Sequence, residues 1–285
     1  MIPQNFDYAT PATLDEALAL LADGSSKALA GGQSLIPLMK LRFAAPEKLV
    51  DLSRIPGLNE IREESDGLHI GATATHYQIE SSALLRERCP LLAETAAHIG
   101  DVQVRNLGTL GGSLAHADPA ADYPAALFAL DAQVRIAGPS NERTLSIGDF
   151  LIDMFTTVLE PGELIREVIV PAEAPGTGTA YQKVLQPASG FAVVGIAVRI
   201  RRAEGRIAMA RIGVTGLTSH AFRAADAEAL LEGTEGTPDD IRRAAAVVGD
   251  DVDATSDLHA SADYRRHLAR VHTARALTIA LGRSA

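Results

Sequence analysis

An α+β protein of two or three packed units is what the sequence predicts, and three observations carry that prediction. The 285-residue chain is 47% hydrophobic, enough to give each unit a core of its own. Helix and strand signals alternate at the start, and then short alternating apolar runs take over. Three long strand candidates followed by helices occupy the last third.

The first unit, residues 1–56, opens with a helix signal at Thr13-Leu14-Asp15-Glu16. The threonine hydroxyl can cap an amide there, and Glu16 can reach back to complete a capping box. This helix, LDEALALLAD, stops at Gly24. "KALA" then reads as a strand, "LIPLMKLR" as a helix, and "KLVDLSRI" as a strand ending near Pro56. That order predicts a small βαβ-like unit. In residues 57–174 the runs "GLHIGATAT", "AQVRIAG" and "ELIREVIVP" predict a mostly antiparallel sheet, with a helix near residues 90–100. "PAEAPGTGT", residues 171–179, has the composition of a linker.

Residues 175–285 form the last unit. Its strands are "AYQKVLQ", "FAVVGIAVRIRR" and "RIAMARIGVTGL", the latter two joined by a tight turn at Ala203-Glu204-Gly205. Thr237-Pro238 supplies a cap and a first-turn proline for "DDIRRAAAVV", and a long helix runs from about Ala262 to Gly282.

Composition removes several function classes. The net charge is −10 with scattered basic residues and 4% aromatics, which argues against a nucleic-acid-binding face. No apolar run approaches the roughly 20 residues of a membrane span, and the start lacks the pattern of a signal peptide. A cytoplasmic protein is expected. The single cysteine, Cys89, can form no internal disulfide and cannot hold an iron–sulfur cluster, so cluster chemistry must lie on another chain. Standing before Pro90 with no paired basic residue, Cys89 reads as a buried, inert thiol. His116 has no companion at metal-ligand spacing and reads as structural.

The glycines ask for a different explanation. In "ALAGGQSLIPLMKLR", Gly31 and Gly32 can turn backbone N–H groups into a common space, and Ser34 stands where it could cap the following helix. Such a space suits a phosphate. The loop is neither a Walker loop nor a Rossmann fingerprint, and "GGQSL" is not a nucleophile elbow. A second loop, "NLGTLGGSLAHADPAADYP", again pairs glycines with a serine, adds Thr109, and runs on to Asp118 and Asp122. Two phosphate cradles with carboxylates suited to a sugar hydroxyl would fit a dinucleotide.

These residues carry a family resemblance. "AGGQSLIPLMKLR", "VRNLGTLGGSLAHADPAADYP" and "LEPGELIREVIVP" resemble the FAD-binding medium subunit of the molybdenum hydroxylases, the carbon monoxide and xanthine dehydrogenase family. The resemblance extends over essentially the whole chain. It implies a PCMH-type FAD-binding fold of two subdomains, followed by a C-terminal domain with a three-stranded antiparallel sheet and helices. By position, Ala30, Gly31, Gly32, Gln33 and Ser34 in the first loop, and Thr109, Gly111, Gly112 and Ser113 in the second, would hold the pyrophosphate through amides and hydroxyls. Asp122 would bind a cofactor hydroxyl, Ile165 would lie against the ring system, and Lys183 would make a polar contact to the flavin. Phe191 stands where several relatives carry a tyrosine beside the isoalloxazine, and Gln33 where several carry histidine.

The same resemblance implies an oxidoreductase subunit with no catalytic acid or base of its own. Electrons would come from two [2Fe–2S] clusters on a small subunit, fed by molybdopterin on a large subunit, and pass through FAD to an external acceptor. A dimer of heterotrimers is the implied assembly, reaching the inner membrane surface only through partners. The substrate pocket would lie on the large chain, leaving carbon monoxide, an aldehyde or an N-heterocycle open. Two other readings compete: a self-contained FAD oxidoreductase of the same fold, and an assembly protein that binds no cofactor.

Overall fold

A computed structural model describes residues 2–284. At the N-terminus, β1 (Asp7–Ala9), β2 (Ser26–Leu29) and β3 (Lys48–Asp51) make a parallel sheet in the order β1-β3-β2. Helix Leu14–Leu21 starts where the sequence places it, with the Glu16 amide donating to Thr13 Oγ1 at 3.2 Å. The Glu16 carboxylate accepts from the Ala12 amide at 2.8 Å, one residue before the expected partner. Ala17, Leu18 and Leu21 on its apolar face join Val50, Leu52 and Ile55 in a core that also takes in Ala137 and Leu164 of the next unit. The first unit is thereby seated on the second sheet. Helix Leu35–Leu41, which follows the first glycine loop, buries only Met39.

The middle of the chain contributes β4 (Ile61–Glu64), β5 (Gly67–Gly71), β6 (Gln133–Ala137), β7 (Glu142–Ser146), a small hairpin of β8 (Leu151–Asp153) and β9 (Thr156–Thr157), and β10 (Leu164–Val170). The larger sheet runs β4-β5-β10-β6-β7 with every neighbour antiparallel, as the short alternating runs predict. Between β5 and β6 the chain makes a layer of short helices, including Pro90–Ala97 in the region expected to be helical. Leu91, Leu92, Leu110, Leu114 and Leu127 from this layer bury themselves against Leu68, Ile70, Val134, Ile136 and Val168 of the sheet. The second glycine loop belongs to the helical layer, so a packed core fixes its position.

The C-terminal sheet is antiparallel, in the order β11 (Thr177–Leu185), β12 (Ala192–Ala203), β13 (Arg206–Thr215) and β14 (Phe222–Arg223). The two-residue β14 adds a fourth strand to the three expected. Pairing of Thr177 with Arg201 also starts the sheet inside the stretch read as a linker. Thr177 and Thr179 are β-branched and suit a pleated surface, which outweighs the local glycine and proline content. Glu204 (φ 52°) and Gly205 (φ 78°) connect β12 to β13, the two left-handed residues of a type I′ hairpin. Helix Pro238–Ala246 is closed by a capping box between Thr237 and Asp240, and helix Ala262–Arg283 lays Leu268, Ala269, Ala276 and Leu277 on the sheet core.

The C-terminal unit grips one loop of the helical layer. Thr215 Oγ1 lies 2.9 Å from the Pro119 carbonyl and 2.7 Å from that of Ala121. The amides of Ala192 and Gly216 donate to Ala120 O at 3.2 Å and Pro119 O at 2.9 Å. This grip sets the start of helix Asp122–Ala129, and so the position of Asp122.

Candidate functional site

The two glycine loops meet. A Cβ on Gly31 would lie 2.0 Å from Leu107 O and 2.8 Å from Gly108 Cα, and one on Gly112 would lie 3.9 Å from Ala30 Cβ. Only glycine permits the first approach. Gly32 takes φ +71°, which turns the chain out of β2 and into helix Leu35–Leu41. Gln33 is exposed and folds its Nε2 back on Gly31 O at 3.2 Å.

Donors are distributed unevenly between the loops. Among the described residues, the amides of Gly31, Gly32, Gln33 and Ser34 have no backbone acceptor. The Ser34 hydroxyl makes no capping bond, contrary to the expected cap, because Ser34 already has helical backbone angles (φ −105°, ψ −51°). In the second loop the amides of Gly111, Gly112 and Ser113 are spent. Gly111 N donates to Ala72 O at 2.8 Å, Gly112 N to Thr109 Oγ1 at 3.1 Å, and Ser113 N to Thr109 O at 3.0 Å. The expectation that Gly111, Gly112 and Ser113 present amides is therefore corrected: Thr109 is the N-cap of helix Leu110–His116 and consumes two of them. What this loop retains for an anion is the Thr109 amide, which has no backbone acceptor among the described residues, and the hydroxyls of Thr109 and Ser113.

His76 supports the second loop from beneath. Its amide donates to Gly108 O at 2.9 Å, and its Nδ1 lies 3.1 Å from the Tyr123 hydroxyl. A Cβ on Gly108 would come within 2.5 Å of its Nε2. Burial, assisted by the nearby Arg105 cation, holds the ring pKa down to about 4, so the loop rests on a neutral imidazole.

Asp122 and Lys183 form a buried pair. Lys183 Nζ lies 2.8 Å from Asp122 Oδ1 and 2.9 Å from Oδ2, and donates to His98 O at 2.9 Å. The side chains are 2% and 4% exposed, so Lys183 is no solvated strand lysine. The Tyr181 hydroxyl donates to Asp122 Oδ1 at 2.6 Å. Burial pushes the Asp122 carboxyl above its ordinary range, against the pull of Lys183 and then Tyr181. Removing one member of such a pair leaves an uncompensated buried charge, at a cost of about 3–5 kcal/mol. Asp122 is thus committed to Lys183 and Tyr181, and binding of a cofactor hydroxyl would use its remaining lone pairs.

The pair connects to the loops through residues 98–107. Gly190 lies against Gly100, where a Cβ on Gly190 would stand 3.6 Å from Gly100 Cα. Arg105 donates to the carbonyls of Ile99 and Gly100 at 3.2 and 3.1 Å, from the helix that leads into the second loop. Phe191, next to Gly190, is 43% exposed and not a core residue. The Ile165 side chain is in the core with Leu110 and Leu114 and its strand position pairs with Ile136, so nothing brings that side chain to the loops. His116 packs its ring on Phe155 with centroids 5.1 Å apart. Cys89 is fully buried, which pushes its thiol up to about 12.

Tyr181 is not among the residues singled out from the sequence, although it stands two before Lys183 in a strand and shares its face. No such spacing announces His76 or the His98 carbonyl, whose partners are distant in sequence.

Residues 4–173 match the FAD binding domain in molybdopterin dehydrogenase, and residues 179–280 match the CO dehydrogenase flavoprotein C-terminal domain. The carbon monoxide dehydrogenase medium chain of Hydrogenophaga pseudoflava is 40% identical, over the full length of both chains. The 6-hydroxypseudooxynicotine dehydrogenase complex subunit alpha of Paenarthrobacter nicotinovorans is 39% identical, over all of this chain and 97% of its own. Among solved structures, carbon monoxide dehydrogenase from Hydrogenophaga pseudoflava, lacking the Mo-pyranopterin moiety of its molybdenum cofactor, superposes with a TM-score of 0.97 at 42% identity, covering all of both chains.

Proposed function

The chain belongs to the family of FAD-binding medium subunits of the molybdenum hydroxylases, and on that premise we propose that it takes electrons from [2Fe–2S] clusters of a small partner subunit and passes them to an external acceptor. The observation that supports this reading most is the meeting of the two glycine loops, with four first-loop amides lacking backbone acceptors. That arrangement fits a diphosphate: amides of Gly31, Gly32, Gln33 and Ser34 on one side, hydroxyls of Thr109 and Ser113 on the other. Ala30 and Gly112 provide the close wall between them, and Gly111 anchors the second loop to Ala72. Bound FAD supplies a redox centre that accepts single electrons from clusters and releases them in pairs.

In this reading Lys183, held by Asp122 and the His98 carbonyl, would offer its ammonium to the flavin, and Phe191 and Ile165 would border the ring. The chain's residues bind and orient, and none moves a proton for hydroxylation. Residues 1–56 and 57–174 together would form the cofactor-binding part and 175–285 the C-terminal domain. A large molybdopterin-binding subunit completes the heterotrimer, which pairs into a dimer, and any contact with the inner membrane surface is made through these partners. Among the described residues no helix is long and apolar enough to cross a membrane. Two relatives named for carbon monoxide and for 6-hydroxypseudooxynicotine match this chain almost equally, at 40% and 39%. The medium chain therefore does not single out a substrate.

Co-purification followed by anaerobic flavin spectroscopy tests the proposal. The complex should contain FAD that substrate bleaches, whereas the isolated chain should keep its FAD oxidised with every candidate substrate. Bleaching of the isolated chain would point instead to a self-contained oxidoreductase, and a complex from which no FAD can be extracted would remove the flavin reading.

A further inference from the structure

The Asp122–Lys183 pair is assembled by a residue that the cofactor reading leaves without a role. Tyr181 is fully buried, and its hydroxyl donates to Asp122 Oδ1 at 2.6 Å. Space for that hydroxyl is made by Gly195 on the neighbouring strand, where a Cβ would stand 2.5 Å from Tyr181 Oη. Tyr181 and Lys183 project from one face of β11 toward the same carboxylate, and the His98 ring meets Tyr181 edge-on at 5.7 Å. His98 also supplies the carbonyl that takes a second Lys183 proton. Of the three ammonium protons of Lys183, the aspartate and this carbonyl leave one uncommitted.

We propose that Tyr181 is a positioning residue for the flavin site, fixing Asp122 so that the Lys183 ammonium is held at one place with one N–H directed to the cofactor. Two geometric facts support this. Asp122 belongs to the helical layer while Tyr181 and Lys183 belong to the C-terminal sheet, so the hydroxyl pins the carboxylate from the unit that carries the lysine. The Lys183 environment is also contiguous with the second glycine loop, through the His98 carbonyl, Gly100 and Arg105. The inference rests on the reading of Lys183 as a flavin contact.

The test uses the intact complex and reads the midpoint potential of its bound flavin together with its FAD affinity. A fixed cation near the ring favours the more negative reduced state. Lys183→Met should therefore lower the potential, and Tyr181→Phe should lower it by part of that amount while weakening FAD retention about tenfold, the scale of one hydrogen bond to a charged group. Gly195→Ala, whose Cβ would press on both the Tyr181 hydroxyl at 2.5 Å and Thr215 Cγ2 at 2.8 Å, should lower the potential at least as far as Tyr181→Phe. In a Lys183→Met background, Tyr181→Phe should shift the potential no further. A potential unmoved by Lys183→Met or by Tyr181→Phe overturns the proposal, as does a Tyr181→Phe shift of equal size in both backgrounds, which would mark a purely structural role. A wild-type complex without FAD would bring down the functional reading itself, and this inference with it, a result distinct from any of those shifts.

Discussion

His76 and His69 are both buried, yet their surroundings drive them in opposite directions. His76 is neutral in the fold, its pKa held down to about 4 by burial and then by Arg105, against an ordinary value of 6.5. Between pH 6.5 and 4 the unfolded chain takes up a proton that the folded chain refuses, so stability falls as pH drops through that window, by an amount on the order of 3 kcal/mol, and levels off below it. For His69, burial opposes the charge, but bonds to Asp66 (2.8 Å) and Glu167 (3.0 Å) outweigh it and raise the pKa. Its contribution is complete below pH 6.5 and is lost as pH rises through the folded value. Denaturant melts of His76→Gln at pH 7 and pH 4.5 should show a smaller loss on acidification than wild type. An unchanged loss would assign the acid sensitivity elsewhere. Gly31 offers a prediction of another kind. In Gly31→Ala the new Cβ must push back Leu107 O from 2.0 Å, separating the loops. FAD affinity should drop about 100-fold or more, the worth of two or three charge-assisted hydrogen bonds, with circular dichroism unchanged. A flavin-to-protein absorbance ratio equal to wild type would contradict the site.

Elements were legible in the sequence where a local rule decides them. Thr13 and Thr237 cap helices as their spacing predicts, and the Glu204-Gly205 turn closes a hairpin between two long alternating runs. Glu204 has φ 52°, a conformation that costs most residues about 1–2 kcal/mol and asparagine less. Glu204→Asn should accordingly stabilise the protein by about 1 kcal/mol and raise Tm by about 2 °C, as scanning calorimetry would show. Where two local rules compete, the sequence misled. Ser34 has the right residue type for a cap but the wrong backbone angles, and the Gly and Thr of residues 177–179 read as linker although they open a strand. The site itself was half legible: paired glycines mark the loops, but not that Thr109 takes the Gly112 amide. Nor can spacing alone reveal that Asp122 finds Lys183, 61 positions away, because tertiary packing creates that proximity.

At the scale of the whole molecule, the three larger sheets divide the labour of the candidate site. The parallel sheet delivers the first loop, the helical layer over the middle sheet delivers the second loop and Asp122, and the C-terminal sheet delivers Tyr181 and Lys183, with Phe191 in the connection just before β12. Thr215, gripping the carbonyls of Pro119 and Ala121, keeps the last two in register. The lone thiol lies within the middle of this assembly, in the core with Leu85, Leu91 and Leu92. It can meet a disulfide reagent such as Ellman's only when that core comes apart, which makes Cys89 a built-in clock for breathing of the native state. Thiol titration without denaturant should proceed orders of magnitude more slowly than for a free cysteine and accelerate with added urea in step with global unfolding. Prompt labelling in plain buffer would mean that the helical layer opens on its own, ahead of the rest of the protein.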